Sequence, residues 1–250
     1  MAQLVILVKI AVLIFSLSAA NSVYSAPNEL HFASVNVGVP YGYFDELGHG
    51  RGILFDILTH LAQDLKPTAK VSLVPFKRML YGMNNGQYHC SLFFQSEMSI
   101  KRHHQIGLIA QKPVIIVSLS SNNKQAQATS LDDFEGQTVG MIRSGQYGGG
   151  FDQNNKIIKR EFDNYEQALN LVKQGRLDAV IGPKEMILGV FDFKGEYLVV
   201  APNEIWLQCA INSTVLQQGK HLTQIKQAYE RLIKGHVIRE IHNQYLKIPK

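Results

Sequence analysis

The chain has 250 residues and a formal net charge of +5, with its basic residues scattered through the sequence. Mild basicity without a patch makes no case for a nucleic-acid partner. After the first 26 residues no stretch is long and apolar enough to span a bilayer, and the two cysteines lack the ligand pattern of a zinc site.

The first residues read as a targeting signal. Met1–Val8 is largely apolar, Lys9 is its only charge, and Ile10–Ala20 is an unbroken run of apolar or small residues. Followed by small residues up to Ala26, this is the pattern of a secretory signal, and the apolar run is short for a membrane anchor. Cleavage after Ser25 fits best, with Ala20 as the alternative. No cysteine stands at the junction to carry a lipid. The remaining stretch of about 225 residues suffices for one large domain or two small ones, in a soluble exported protein placed in the periplasm.

Leu30–Val39 alternates as a first strand closed by Pro40, and a glycine-rich aromatic loop follows. Ile53–Leu65 carries Leu54, Ile57, Leu58, Leu61 and Leu65 at helical spacing. Lys70–Val74 reads as a strand ended by Pro75, and Phe76–Met83 as a short helix stopped by Asn84, Asn85 and Gly86. Cys90–Phe94 is an apolar run suited to a buried strand, from which a polar segment leads to Arg102. The pattern is β-α-β-α-β, the mark of a parallel sheet. In such a sheet, a segment leaving a strand emerges at the carboxyl edge, where ligands bind. Arg102 there offers a planar fork of donors for a carboxylate or phosphate, unless it belongs to a solvated cluster with Lys101, His103 and His104.

Pro113–Leu119 is a further strand, residues 120–128 a polar surface loop, and Ser130-Leu-Asp-Asp a capping box. Strands follow at Thr138–Ile142, Ile157–Phe162, Asp178–Gly182, Tyr197–Ala201 and Ile205–Ile211. A glycine-rich loop, Arg143–Gly150, is expected to open a helix. Other helices are expected at Tyr165–Gln174, capped by Asn164, at Lys184–Val190 behind Pro183, and at His221–Lys234 and Val237–Tyr245. Cys90 and Cys209 lie in apolar strand-like runs. They form either a disulfide of an oxidising compartment or two buried free thiols.

Several segments in order resemble the extracellular solute-binding proteins of family 3, the periplasmic components of amino-acid-type ABC transporters. They are Pro40-Tyr41-Gly-Tyr-Phe-Asp with Arg51-Gly-Ile-Leu-Phe-Asp, then Val74-Pro75-Phe76-Lys77-Arg78 with Asn85-Gly86, and Ser99-Ile-Lys-Arg102. Ser130-Leu-Asp-Asp-Phe-Glu-Gly, Tyr165-Glu-Gln-Ala-Leu and Gly175-Arg-Leu-Asp-Ala-Val complete the set. The resemblance covers Leu30 to Leu246. It implies a two-lobed α/β fold of the periplasmic-binding-protein type II, each lobe a mostly parallel sheet flanked by helices, with two hinge strands between them. The first lobe would comprise 26–112 and 204–250, and the second 113–203.

The resemblance also implies a site. Arg102 falls at the arginine that clamps a ligand carboxylate, beside Gln95, Ser96 and Ser99. Tyr41 and Tyr43 would wall the ligand after the first strand, with Phe76 opposite. Arg78 would point into the cleft or pair with an acid on its own lobe. Ser144, Gly145, Gln146 and Tyr147 match the loop that meets the carboxylate from the second lobe, unless that loop is only a flexible connection. Two departures stand out. Pro183 occupies the place where amino-acid binders carry an acid for the ligand ammonium, leaving Glu185 as a substitute beside Lys184. His89 stands where the family has an aspartate. The expected ligand is therefore a small polar, carboxylate-bearing solute, an amino acid or a relative of one.

No cofactor and no metal are expected. His103 and His104, adjacent on an extended segment, do not converge on one ion and are expected at the surface. The partners implied are the solute and a membrane permease, and the protein would be a monomer. Alternatives are a sensor that reports to a membrane receptor, and an enzyme resembling the cyclohexadienyl dehydratase known on this fold. Glu97, Glu185 and His89 are the candidate acids for that enzyme.

Overall fold

The computed structural model describes residues 29–66, 69–118, 128–190, 197–217 and 220–246. The expected leader and the loop at 119–127 lie outside the described residues. The chain begins with β1 (His31–Val35), a ribbon of β2 (Tyr43–Phe44) and β3 (Gly50–Arg51), and α1 (Ile53–Gln63). Then come β4 (Lys70–Val74), α2 (Phe76–Asn84), β5 (Cys90–Phe94), α3 (Glu97–Arg102) and the long β6 (His103–Ser118). A 3-10 turn at Leu131–Phe134 leads to β7 (Thr138–Ile142), β8 (Ile158–Phe162), α4 (Tyr165–Lys173), β9 (Ala179–Pro183) and α5 (Lys184–Val190). The chain closes with β10 (Tyr197–Ala210), α6 (Thr214–Gln217), α7 (His221–Lys234) and α8 (Val237–Leu246).

Eight strands share one sheet in the order β4-β1-β5-β10-β6-β9-β7-β8. At one end β1 runs parallel to β4 and β5, and at the other β7 runs parallel to β8 and β9. The antiparallel pair β6 and β10 joins the two parallel halves. Their pairing runs from Tyr197 opposite Val117 to Ala210 opposite His103, with register shifts between Val199 and Ala201, Ile205 and Trp206, and Leu207 and Gln208. The expected strands begin at Pro113 and stop before Pro202, yet these two prolines face each other in the middle of the ladder. Two residues without an N–H donor placed opposite one another cost the ladder one position, and pairing resumes on both sides.

Helical spacing is realised in α1, where Ile53, Leu54, Ile57, Leu58, Leu61 and Ala62 are buried. This face packs on β1 and β4, and α7 and α8 lie against the same helix. In the far half, α4 packs on β7, β8 and β9, and α5 on β6 and β9. Strand alternation divides the apolar residues there between two faces. Ile115 and Val117 join the main core with Leu169 and Val180. Val114 and Ile116 belong to a second cluster with Val139, Phe151 and Ile181.

Three local findings differ from or settle the sequence reading. Cys90 and Cys209 form a disulfide between directly opposed residues of β5 and β10, both fully buried. The glycine-rich loop does not open a helix. Gly148, Gly149 and Gly150 take φ of 69°, 59° and 86°, which a right-handed helix excludes, and turns fill the segment up to β8. The expected strands Tyr197–Ala201 and Ile205–Ile211 are one, β10.

Candidate functional site

A cavity of about 510 Å³ lies where the two halves of the sheet meet. Its near wall is built around the junction of α3 and β6. Ser96 caps α3 through a capping box: its hydroxyl accepts the Ser99 N–H at 3.2 Å, and the Ser99 hydroxyl accepts the Ser96 N–H at 2.9 Å. Both serines line the cavity with these bonds already made. The helix ends at Arg102, whose exposed side chain stands at the cavity wall, and among the described residues no carboxylate pairs with it.

Glutamines hold this junction in place. Gln105 Nε2 lies 3.1 Å from the Ser99 and His103 carbonyls and 3.0 Å from Gln208 Oε1, so its two protons serve three acceptors. Gln95 Nε2 donates to Gln105 Oε1 at 3.1 Å, and Gln208 Nε2 donates to the Phe93 carbonyl at 3.1 Å. A half-buried, mutually bonded polar set of this kind fixes the geometry of the backbone it ties together.

Phe76, Leu80, Phe93, Phe94 and Met98 make most of the rest of the near wall apolar, with Asn84 and His103 as polar exceptions. Phe76 meets Phe93 edge-on at 6.0 Å, and Phe93 meets His103 edge-on at 5.6 Å. The far wall comes from the loop after β7, with Ser144, Gly145, Gln146 and Tyr147. The Ser144, Gly145, Tyr147 and Gly148 amides already have anionic or carbonyl partners within the chain. Ser144, in the left-handed region at φ 64°, donates its N–H to Glu161 at 3.0 Å. The Gly145 N–H goes to the Ile142 carbonyl at 2.8 Å, and the Tyr147 and Gly148 N–H groups go to the Asp152 carboxylate at 2.9–3.0 Å. The loop therefore does bind carboxylates, but they are the chain's own.

Tyr147 is buried, with its hydroxyl accepting the Ile142 N–H at 3.0 Å and bonded to the Tyr165 hydroxyl at 2.8 Å. Burial pushes the Tyr147 hydroxyl up to about 12. Gly182 makes room for Tyr165, because a Cβ there would come within 2.5 Å of its ring. Tyr165 also donates its N–H to the Val37 carbonyl at 3.3 Å, a main-chain bond from the far half to the near one.

No family model and no curated protein sequence matches the chain. Solved structures do. A mutant of ArgBP from T. maritima superposes at TM-score 0.70 with 16% identity, covering 87% of this chain and 95% of that one. The ancestral amino acid-binding protein AncCDT-1, a precursor of cyclohexadienyl dehydratase, superposes at 0.69 with 17% identity over 88% and 96%. The periplasmic VFT2 domain of Bordetella pertussis BvgS superposes at 0.64 with 16% identity over 87% and 93%. The fold is that of the two-lobed periplasmic binding proteins. At these identities the likeness extends to the fold alone.

Of the residues singled out by the sequence, Tyr41, Phe76, Ser96, Ser99, Arg102, Ser144, Gly145, Gln146 and Tyr147 line the cavity. Four do not. Tyr43 is half-buried in the β2–β3 ribbon, and Arg78 is exposed on α2. Gln95 turns toward Gln105 and so positions the wall without forming it. Glu185 accepts from Lys112 Nζ at 2.6 Å and lies 3.2 Å from His242 Nε2, with only 18% of its side chain exposed. Burial works to raise its carboxyl, but Lys112, Tyr41 and His242 together bring it below the usual range. Its second oxygen and the Tyr41 hydroxyl are buried without hydrogen bonds of ordinary geometry, yet they couple. Burial, followed by the Glu185 charge, lifts the Tyr41 hydroxyl well above its ordinary value.

The acids considered for an enzyme also lie elsewhere. Glu97 is exposed at the start of α3, Glu185 is held by Lys112, and His89 sits just before β5, accepting the His31 N–H at 2.7 Å. Glu161 and His103 are among the cavity residues that escaped the sequence reading. Glu161 reads as one polar position in an edge strand. His103, expected at the surface, is 4% exposed and lines the cavity. As the first residue of β6 it takes the inward-facing register, a consequence of strand pairing that its charged neighbours conceal.

Proposed function

We propose that the protein is a periplasmic solute-binding protein of the family 3 type. In this reading it captures a small carboxylate-bearing solute between its two lobes and delivers it, as a monomer, to an ABC-type permease. The observation that carries the reading is the Arg102 guanidinium, free of any carboxylate partner among the described residues, at the wall of a largely apolar cavity between the two halves of the sheet. A bidentate guanidinium–carboxylate pair contributes upward of about 1.5–3 kcal/mol, a sizeable part of the roughly 8 kcal/mol that micromolar binding requires. Phe76, Tyr41 and Tyr147 would supply apolar contact area.

The lobes are taken as 26–112 with 204–250, and 113–203, closing about the β6–β10 pair. The opposed prolines Pro113 and Pro202 support bending there, since that step of the ladder lacks donors. Export is supported by the N-terminal leader pattern, and an oxidising compartment by the buried Cys90–Cys209 disulfide. No helix among the described residues is long and apolar enough to cross a membrane. Solute binding without turnover fits a cavity whose acid, Glu161, already accepts the Ser144 N–H and lies 3.9 Å from Arg143. The likeness to the BvgS domain favours a second reading, ligand-dependent signalling to a membrane receptor.

The test is native purification followed by denaturation and mass determination of what is released, with calorimetric titration of the emptied protein. A small carboxylate that rebinds supports the reading. Absence of any heat or thermal shift with polar amino acids, short peptides and organic acids refutes it.

A further inference from the structure

Arg102 is followed directly by a side chain that makes no hydrogen bond of ordinary geometry. His103 is 4% exposed, and neither Nδ1 nor Nε2 has a hydrogen-bond partner. The ring stands edge-on to Phe93 at 5.6 Å and lines the same cavity as Arg102, Ser96 and Ser99. A buried imidazole with two idle nitrogens is an uncommon arrangement, because buried polar groups in folded chains nearly always find partners. Here the Ser99 backbone acts on the ring without a hydrogen bond of ordinary geometry. Gln105, two residues on, is committed to the Ser99 and His103 carbonyls and to Gln208.

The ring is neutral near pH 7. Burial is the main cause that lowers its pKa below 6.5. The Arg102 charge lowers it further, and the Ser99 backbone only partly opposes them. A neutral imidazole has one donor and one acceptor, so it suits a hydroxyl, a carbonyl or an amide and offers nothing special to a second carboxylate.

The cavity also limits the rest of the ligand. Phe76, Leu80, Phe93, Phe94 and Met98 face it from the near side, and Met141 and Ile142 from the far side. Glu185, which sequence reasoning offered for an ammonium group, does not face the cavity. Among the described residues the one acid that does, Glu161, is already engaged by Ser144.

We propose that His103 is a ligand-contacting specificity residue, reading an uncharged hydroxyl, carbonyl or amide adjacent to the carboxylate held by Arg102. The solute class that follows is an apolar or aromatic carboxylic acid with one neutral polar substituent near the carboxyl group. A basic amino acid does not meet that description. The inference rests on the cavity being the solute site, and deepens that reading by naming what fills it.

Calorimetric titration with a matched pair of probes tests it. The probes are 3-phenyllactate, which carries an α-hydroxyl, and 3-phenylpropionate, which lacks it. The wild-type protein should bind phenyllactate about tenfold or more tightly than phenylpropionate, the discrimination that a single well-made hydrogen bond supplies. In His103→Phe, which preserves ring volume against Phe93, the preference should vanish while phenylpropionate still binds. His103→Gln, which restores a donor and an acceptor, should recover part of it and guards against a folding defect in the first variant. Equal affinity of wild type for the two probes, or a preference that survives His103→Phe, overturns the role of His103 and leaves the carboxylate site standing. If neither probe binds the wild type, the proposed solute class is overturned. If other carboxylates also give no heat and Arg102→Ala changes nothing, the site itself is refuted too.

Discussion

Arg102 and His103 are neighbours in sequence with opposite fates. Arg102 ends a helix and projects to the cavity rim, while His103 opens a strand and is drawn into the wall. The place of Arg102 at the cavity was legible only through the family resemblance, because a guanidinium leaving a buried strand fits a solvated cluster equally well. That of His103 was not, because Lys101-Arg102-His103-His104 has the composition of a solvated run and only strand pairing decides which side chain turns inward. Arg102→Ala should therefore weaken solute binding tenfold to about a hundredfold without shifting thermal unfolding, the first being the loss expected for a charge-assisted hydrogen bond. Titration of the solute that co-purifies, beside a melting curve, checks both halves. Buried and half-buried histidines make a second prediction at this scale. His31 and His89 share the depressed pKa of His103, in each case chiefly through burial, with Lys70 adding to the effect at His31, and His31 and His221 at His89. Groups whose folded pKa lies below the unfolded value of 6.5 favour protonation in the unfolded chain. Their contribution to stability is thus intact above pH 6.5 and falls as the pH drops from there toward the folded values. Melting temperature should decline from pH 7 to pH 5, and His89→Asn should flatten that decline.

Elements were recovered from the sequence where local pattern and burial agree. The faces of α1 and α4, the strands β4, β5 and β7, and the Asn164 cap, which accepts the Gln167 N–H at 3.0 Å, needed only periodicity and capping chemistry. Misreadings cluster where a partner distant in sequence decides. The loop after β7 reads as a helix start until Asp152 takes the Tyr147 and Gly148 amides. Pro113 and Pro202 read as strand ends until each is placed opposite the other. Glu185 reads as a cleft acid until Lys112 and His242 approach from β6 and α8. That cluster ties a far-lobe helix to a crossing strand and to the C-terminal helix. Glu185→Gln would leave Lys112 with 13% of its side chain exposed and no carboxylate. Breaking such a pair costs of order 3 kcal/mol. Denaturant unfolding should show a lower midpoint at unchanged slope, while an unchanged midpoint would mean that the pair is solvated in solution.

At the scale of the molecule, the sequence implied two lobes, and the structure joins them in one sheet through two long strands. The cavity lies at that join, so its walls depend on both halves, and the fold could be named before its ligand could. What composition and motif order did not convey is the covalent layout. The Cys90–Cys209 bond spans a sequence separation of 119 residues and includes β6 through β9 within one closed loop. The chain is therefore a ring with two tails. If the protein is pulled by its two ends, tension runs across β5 and β10 through the sulfurs, and the enclosed far half carries none of it. Single-molecule extension should release only the tails under oxidising conditions. With a reductant it should gain about 400 Å more contour length, the reach of the enclosed residues at roughly 3.4 Å each.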